Sequence, residues 1–315
     1  MSHRAPLVQK PKALREGARI GVVSPSSPAE RQEVLAGVAE LTNLGFRVEI
    51  SFNHTPDGYF ASKNEERLLE FCKTVHNKNI DGVIAARGGY GANYLIEGKL
   101  ATRLKGPKAI VGFSDLTAIQ TLLWQVRGWV TFYGPMVAAG FNRGADQPHG
   151  YDKASFLEAV RNEKKGWGTP LRGESISSGE AVGRLLGGCL TLLQTTLGTD
   201  WEIDTRGAIL ILEDRGMKPY QVDRALMHLR HAGKFEQVRG IILGDFPDCE
   251  APVPGGPTVH EACERILAPL KLPILYGAPV GHTKRAMLTL PLGVRARLVA
   301  EGEGQIEVLE AAVAG

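Results

Sequence analysis

"AIVGFSDLTAIQTLLW", residues 109–124, carries the reading from which the fold follows. It begins as a buried apolar strand and ends as an amphipathic helix. The joint holds Gly112, Phe113, Ser114 and Asp115, so Ser114 is either a helix cap or a nucleophile raised on a tight turn. Ser and Asp are both favoured caps, and "GFSDL" lacks the second Gly of the GxSxG elbow. On this stretch alone the cap reading is the stronger. A residue at such a turn nevertheless sits at the carboxyl end of a strand, where open α/β sheets bind ligands. The amide that follows it points toward a helix N-terminus, a position suited to stabilising an oxyanion.

The same alternation runs outward in both directions. "ARIGVVSP" (18–25), "FRVEISF" (46–52), "DGVIAARGG" (81–89), "KAIVGFS" (108–114) and "WVTFYGP" (129–135) read as strands. A helix near 29–45 ends at Gly45, and Ser62 with Glu65 predicts a capping box opening another. Strands separated by helices imply right-handed crossovers and a mostly parallel sheet. From about 140 to 180 the chain turns Gly-rich, polar and charged around a short helix near 153–163. Then come "AVGRLL" (181–186), a helix near 187–198, "AILILED" (208–214), a helix near 221–233, "GIILGDF" (240–246) and "PILYGAPVGH" (273–282). "VRARLVAEG" (294–302) and "GQIEVLE" (304–310) close a more β-rich half. The expected division is a domain over 1–145, a linker region over 146–180 and a second domain over 181–315, with a cleft between the two domains.

Composition excludes several function classes. The 315 residues are 43% hydrophobic and 23% charged, which is ordinary for a globular enzyme-sized chain. A net charge of +3 with mixed signs, and no Lys/Arg block, gives no footprint for nucleic acid. Cys72, Cys189, Cys249 and Cys263 are scattered without CxxC spacing, so neither a disulfide framework nor a zinc site is expected, and a reducing compartment is favoured. The opening lacks the apolar core of a signal peptide, and no run is long enough to cross a bilayer. The expected location is cytoplasmic, with no membrane partner, no cofactor and no metal.

Besides Ser114, three candidate elements could carry chemistry. In "ARGGYGANYL" (86–95), Gly88, Gly89 and Gly91 follow a strand and precede a helix. The pattern matches neither GxGxxG nor GxxxxGK[ST], so it is either a tight turn or a loop bringing amides close to a ligand, with the turn favoured. Glu213 and Asp214 end an apolar strand, where they could orient a histidine, although a solvated pair or a bridge to Arg215 or Arg224 is the plainer reading. His282 also ends an apolar strand, and a lone strand-end histidine is more often structural than catalytic. His228 and His231 lie on a helix among charged neighbours, and "HEACE" (260–264) lacks the second His of HExxH. Together, Ser, Glu and His each follow a buried strand, in an order compatible with a catalytic triad.

At these residues the chain resembles the LD-carboxypeptidase family of serine peptidases (peptidase family S66), which includes murein tetrapeptide carboxypeptidases and microcin C immunity peptidases. The resemblance covers most of the chain. It runs through "GVVSPSSP", "GYFASKNEERLLEF", "GVIAARGGYGANYL", "IVGFSDLTAI", "GRLLGGCLTLL", "LILEDRGMKPYQVDRAL", "GIILGDF" and "PVGHTKRAMLTLPLG". It implies Ser114 as nucleophile, Glu213 as the acidic member and His282 as base. The amide of Asp115 and that of Gly88 or Gly89 would form the oxyanion hole. It further implies an α/β fold, with a Rossmann-like N-terminal domain carrying the serine and a β-rich C-terminal domain carrying Glu and His, the active site lying in the interdomain cleft.

The chain departs from the family pattern at three places. Cys189 stands in "GGCL" where the family usually has "GGNL", Met217 stands where Glu commonly precedes the Pro-Tyr pair, and Tyr133 stands where a His often precedes Gly-Pro. All three are candidate substrate-binding positions. The implied reaction is metal-independent removal of the C-terminal D-alanine from cytoplasmic murein tetrapeptides in wall recycling, by a homodimer. Cleavage of a peptidyl- or aminoacyl-nucleotide is the alternative within the family. A non-catalytic two-domain binder of a small peptide or sugar is the alternative outside it.

Overall fold

The computed structural model describes residues 6–51, 55–164 and 166–315. Residues 1–5 of the opening segment, Phe52 at the end of the strand expected over 46–52, and Lys165 lie outside the described residues. The fold is mixed α/β, with a largely parallel sheet and a second, β-rich sheet. The chain divides into two compact units. One comprises Met1–Glu163, Arg285–Gly293 and Ala312–Gly315, and the other Lys164–Lys284 and Val294–Ala311.

In the first unit the apolar runs become β1 (Arg19–Val23), β2 (Arg47–Ile50), β3 (Gly82–Ala85), β4 (Ala109–Gly112) and β5 (Thr131–Tyr133). The helices are α1 (Arg31–Asn43), α2 (Asn64–His76), α3 (Ala92–Glu97), α4 (Leu100–Arg103), α5 (Leu116–Arg127) and α6 (Lys153–Arg161). The five strands are parallel in the order 2-1-3-4-5, and a sixth, Leu290–Leu292 (β12 in chain order), adds antiparallel to β5. Every residue of β3, β4 and β5 is buried, which explains why they read as continuous apolar runs. The strand order reverses between β1 and β3, so the loops leaving their carboxyl ends form the crevice in which open sheets hold ligands. Chain segment 24–27 leaves β1, segment 86–91 leaves β3, and Phe113–Asp115 leaves β4 beside them.

Helix α5 fixes the end of β4. Its residues from Leu116 to Trp124 are all buried, and Gly128 stops it with a left-handed φ of 66°. A glutamine in so apolar a helix has a specific use. Gln120 Nε2 donates to the carbonyls of Gly112 (3.0 Å) and Phe132 (2.9 Å), tying the helix to the last residue of β4 and the middle of β5.

The second unit contains β6 (Trp167–Pro170), β7 (Glu174–Ser177), β8 (Glu180–Cys189), β9 (Ala208–Glu213), β10 (Gly240–Gly244), β11 (Ile274–Ala278), β13 (Arg295–Val299) and β14 (Gln305–Val308). They form an eight-stranded sheet in the order 6-14-13-8-9-10-11-7, with β8 to β11 parallel and the flanking strands antiparallel. Helices α7 (Leu190–Thr195), α8 (Pro219–His231) and α9 (Val259–Leu267) follow β8, β9 and β10. The stretch 146–180 contains α6, β6 and β7, the last two being the edge strands of this sheet. β6 alternates, with Trp167 and Thr169 buried and Gly168 and Pro170 exposed, and no residue of β7 is fully buried, which gives the polar texture seen in the sequence. No helix among the described residues is long and apolar enough to cross a membrane.

Candidate active site

Ser114 is not a helix cap. Its φ of 61° lies in the left-handed region that side-chain-bearing residues rarely occupy. The cap position of α5 belongs to Asp115, whose side chain makes no capping bond. The local preference of serine for caps is overridden by a turn too sharp for it, the strained geometry that presents a side chain outward from a sheet. The Ser114 N–H donates to Tyr133 Oη at 3.4 Å. A Cβ at Gly88 would stand 3.1 Å from Ser114 Cβ and 3.2 Å from its Oγ, so the glycine lets the 86–91 backbone lie directly against the serine.

That loop is fastened from both sides. Ser27 N–H donates to the Gly88 carbonyl (3.3 Å), and Ser27 Oγ accepts from Tyr90 N–H (3.1 Å). At Gly89, with φ of 107°, a Cβ would come within 2.4 Å of Ser27 Oγ. The buried Asp115 carboxylate accepts from Ser26 Oγ at 2.6 Å and from Ala92 N–H at 2.8 Å, both on Oδ2. Burial pushes the Asp115 carboxyl above its ordinary range, against the opposing pull of Ser26, Ala92 and the Arg67 charge. Arg67, wholly buried on α2, donates to the carbonyls of Ser62 (3.1 Å), Gly91 (3.0 Å) and Pro25 and to Asn64 Oδ1, with its guanidinium over the Phe60 ring.

In the second unit, β9 delivers Glu213 to a fully buried position at its carboxyl end. Glu213 Oε2 accepts from His282 Nδ1 and from the His282 backbone N–H, both at 2.8 Å. This replaces the solvated pair that was the plainer sequence reading. His282 follows β11, and two glycines make room for the carboxylate. A Cβ at Gly281, where φ is 63°, would stand 2.3 Å from Glu213 Cδ, and one at Gly244 would stand 2.5 Å from Glu213 Cβ. Burial works to lower the His282 pKa, but the Glu213 charge and hydrogen bond together outweigh it and hold the imidazole above its ordinary value. A histidine donating Nδ1–H to a carboxylate carries the lone pair of its neutral form on Nε2, as a general base requires.

The three positions that depart from the family pattern are distributed as follows. Tyr133 is fully buried and supports the Ser114 amide through its hydroxyl. Cys189 is also buried, paired in register with Glu213, and its thiol contacts Asp214 Oδ2 at 3.5 Å. Burial, followed by the charges of Glu213 and Asp214, raises that thiol well above its ordinary value, so it stays protonated. Met217 is half-buried, and its Sδ lies 3.6 Å from Thr191 Oγ1. Thr191 in turn donates to Asp214 through both N–H (2.8 Å) and Oγ1 (2.7 Å). Asp214 is thus a structural anchor for the start of α7.

Sequence reasoning missed Ser26, Arg67 and the two glycines around Glu213. "GVVSPSSP" contained Ser26, but nothing local distinguishes a hydroxyl that bonds a partner 89 residues away. The capping box expected from Ser62 and Glu65 is absent. Helix α2 begins at Asn64 with Lys63 at its cap, which leaves Ser62 one residue outside and its buried Oγ without a hydrogen-bond partner. Among the described residues, no group of three or more His, Cys, Asp or Glu side chains could hold a metal ion.

Comparison with known proteins matches residues 20–134 to the LD-carboxypeptidase N-terminal domain and residues 182–298 to the LD-carboxypeptidase C-terminal domain. A probable murein peptide carboxypeptidase of Bacillus subtilis is 33% identical over 92% of this chain and 91% of its own. The microcin C7 self-immunity protein MccF of Escherichia coli is 29% identical over 92% of both chains. Among solved structures, a muramoyltetrapeptide carboxypeptidase from Oxalobacter formigenes superposes with a TM-score of 0.82 at 27% identity, covering 95% of this chain and 100% of that one. MccF in complex with aspartyl sulfamoyl adenosine superposes with a TM-score of 0.86 at 26% identity, covering 98% of this chain and 100% of that one.

Proposed function

Because the chain belongs to the LD-carboxypeptidase family, we propose that it is a serine-type carboxypeptidase that releases the C-terminal D-alanine of murein tetrapeptides. The observation that carries this reading is the fully buried Glu213 bonded to His282 Nδ1, the arrangement that fixes the tautomer of a base and stabilises its protonated form. The left-handed backbone at Ser114 supports the nucleophile's role.

In the proposed reaction, Ser114 Oγ attacks the carbonyl carbon of the penultimate residue while His282 Nε2 takes its proton. The resulting oxyanion is stabilised by the N–H of Asp115 and that of Gly88 or Gly89. The intermediate collapses, the C–N bond breaks, and His282 returns the proton to the departing D-alanine amine. Water, deprotonated by His282, then hydrolyses the acyl-enzyme and frees the serine. No step requires a metal or cofactor. A role in cytoplasmic wall recycling and a homodimeric state follow from the family resemblance, and light scattering behind size exclusion reads the latter directly.

A second reading, cleavage of a peptidyl- or aminoacyl-nucleotide, is supported by the similarity to MccF along 92% of both chains. Incubation with a murein tetrapeptide and, in parallel, an aminoacyl-sulfamoyl nucleoside separates them. D-alanine release supports the first reading, and cleavage confined to the nucleoside conjugate supports the second. A preparation that binds the tetrapeptide and releases nothing from either compound is a binding protein.

A further inference from the structure

We propose that the Asp115 side chain, acting through Ser26, is the positioning residue that sets the separation of the two loops supplying the oxyanion amides. The inference rests on the serine-peptidase reading above and assigns a role to a carboxylate that the reaction itself does not use.

The two amides belong to different loops. One is the N–H of Asp115 itself, after β4, and the other is that of Gly88 or Gly89, after β3. Oxyanion donors act only when held about 2.7–3.1 Å from the developing charge, so the spacing of these loops must be set to a few tenths of an ångström. Parallel strand pairing fixes β3 against β4 only as far as Ile84 and Val111. Beyond that register the loops need their own tether.

Asp115 provides it. Its Oδ2 accepts from Ala92 N–H, at the far end of the glycine loop, and from Ser26 Oγ, on the segment leaving β1. The adjacent Ser27 takes the near part of the same loop, through the Gly88 carbonyl and Tyr90 N–H. The loop is therefore held at two places by one continuous element, with the Asp115 carboxylate as its junction. The Ser26 Oγ–Oδ2 bond, at 2.6 Å, lies at the short end of the range for hydroxyl donors to oxygen. Asp115 stands at the cap position of α5 but makes no side-chain bond to that helix, so its carboxylate is directed to the loops instead. Arg67 braces the outer side by donating to the carbonyls of Pro25 and Gly91, which flank Ser26 and Ala92.

The test compares Asp115→Asn, Ser26→Ala and the double variant in D-alanine release, with kcat and KM read separately and folding followed by circular dichroism. Asp115→Asn is expected to lower kcat by about tenfold to a hundredfold, less than loss of a whole oxyanion donor, with KM within about twofold. Ser26→Ala is expected to lose about threefold to tenfold in kcat, and the double variant no more than Asp115→Asn, because both act through one junction. Ser26→Thr, which keeps the hydroxyl, should recover most of the Ser26→Ala loss. A folded Asp115→Asn with kcat within twofold of the parent overturns the proposal. So does a double variant whose loss is the product of the two singles. If Asp115→Asn fails to fold, Ser26→Ala decides: an unchanged kcat overturns the proposal. A parent that neither releases D-alanine nor reacts with a fluorophosphonate counts against the peptidase reading instead.

Discussion

Glu213 holds His282 by two hydrogen bonds to a single oxygen, one from the ring Nδ1 and one from the backbone N–H, each 2.8 Å long. The backbone bond fixes where the residue starts and the ring bond fixes where its imidazole points. The carboxylate is fully buried, so its charge acts on the imidazole with little screening.

This pair predicts a pH dependence. The Glu213 charge and hydrogen bond raise the His282 pKa against the effect of burial, so the acidic limb of kcat/KM should fall above the ordinary imidazole range. Glu213→Gln removes the charge and should move that limb to lower pH while reducing turnover. For stability the sign is the reverse of a carboxylate's. The folded state favours protonated His282, so this contribution is complete below the ordinary imidazole range and is lost as pH rises through the raised value. A pH series of thermal melts should show this loss in the parent and not in Glu213→Gln. Superimposable pH–rate profiles for the two proteins would refute the assignment.

Gly281 and Gly244 form the slot in which Glu213 sits. Gly281→Ala adds a Cβ 2.3 Å from the carboxylate carbon at a positive φ, so either the loop or Glu213 must move. A destabilisation of about 1–3 kcal/mol is expected, together with a fall in kcat larger than that produced by an alanine at the open position Gly302. Chemical denaturation and turnover assays measure both, and a Gly281→Ala protein with parental kcat would show that the slot tolerates displacement.

Arg67 braces the segments that leave the carboxyl ends of β1 and β3, and is expected to act on stability. Arg67→Met keeps the stem but leaves the carbonyls of Ser62, Pro25 and Gly91 without this donor. Buried acceptors left unsatisfied cost about 1–3 kcal/mol each, so urea denaturation should show a loss of about 3 kcal/mol or more. A change below about 1 kcal/mol would mean that water replaces the guanidinium there.

Much of this architecture is legible in the sequence, and the exceptions have physical causes. Strands buried on both faces are continuous apolar runs, so β1, β3, β4, β9 and β10 stand out directly. Strand β12 does not, because it is three residues long, contains Pro291 and sits at a sheet edge where a missing N–H is tolerated. The Ser/Thr-x-x-Glu pattern does not by itself make a capping box. Thr258 with Glu261 forms a true capping box on α9, whereas Ser62 with Glu65 does not, because α2 starts one residue too late. The roles of Ser26 and Arg67 depend on contacts between distant loops, which no local pattern encodes. Ser114 shows the same limit, since its residue type favours a cap and only the backbone conformation excludes it.

Met217 predicts a specificity change. It is half-buried beside Thr191, at one of the three positions where the chain departs from the pattern that the sequence resemblance implies. If it faces substrate, Met217→Glu should favour tetrapeptides with a free side-chain amine. A charge-assisted hydrogen bond is worth about 1.5–3 kcal/mol, or about tenfold or more in relative turnover. The measurement compares diaminopimelate- or lysine-containing tetrapeptides with a norleucine analogue. Identical selectivity in variant and parent would place Met217 outside the substrate site.

The central claim is that Ser114 is an activated nucleophile, and the site of fluorophosphonate attachment tests it most directly. Peptide mass spectrometry of the labelled protein should find one phosphonyl adduct, on Ser114, and none in Ser114→Ala, which should also lose D-alanine release by orders of magnitude. An unmodified Ser114 in a preparation that still hydrolyses the tetrapeptide, or near-parental turnover in Ser114→Ala, would contradict it.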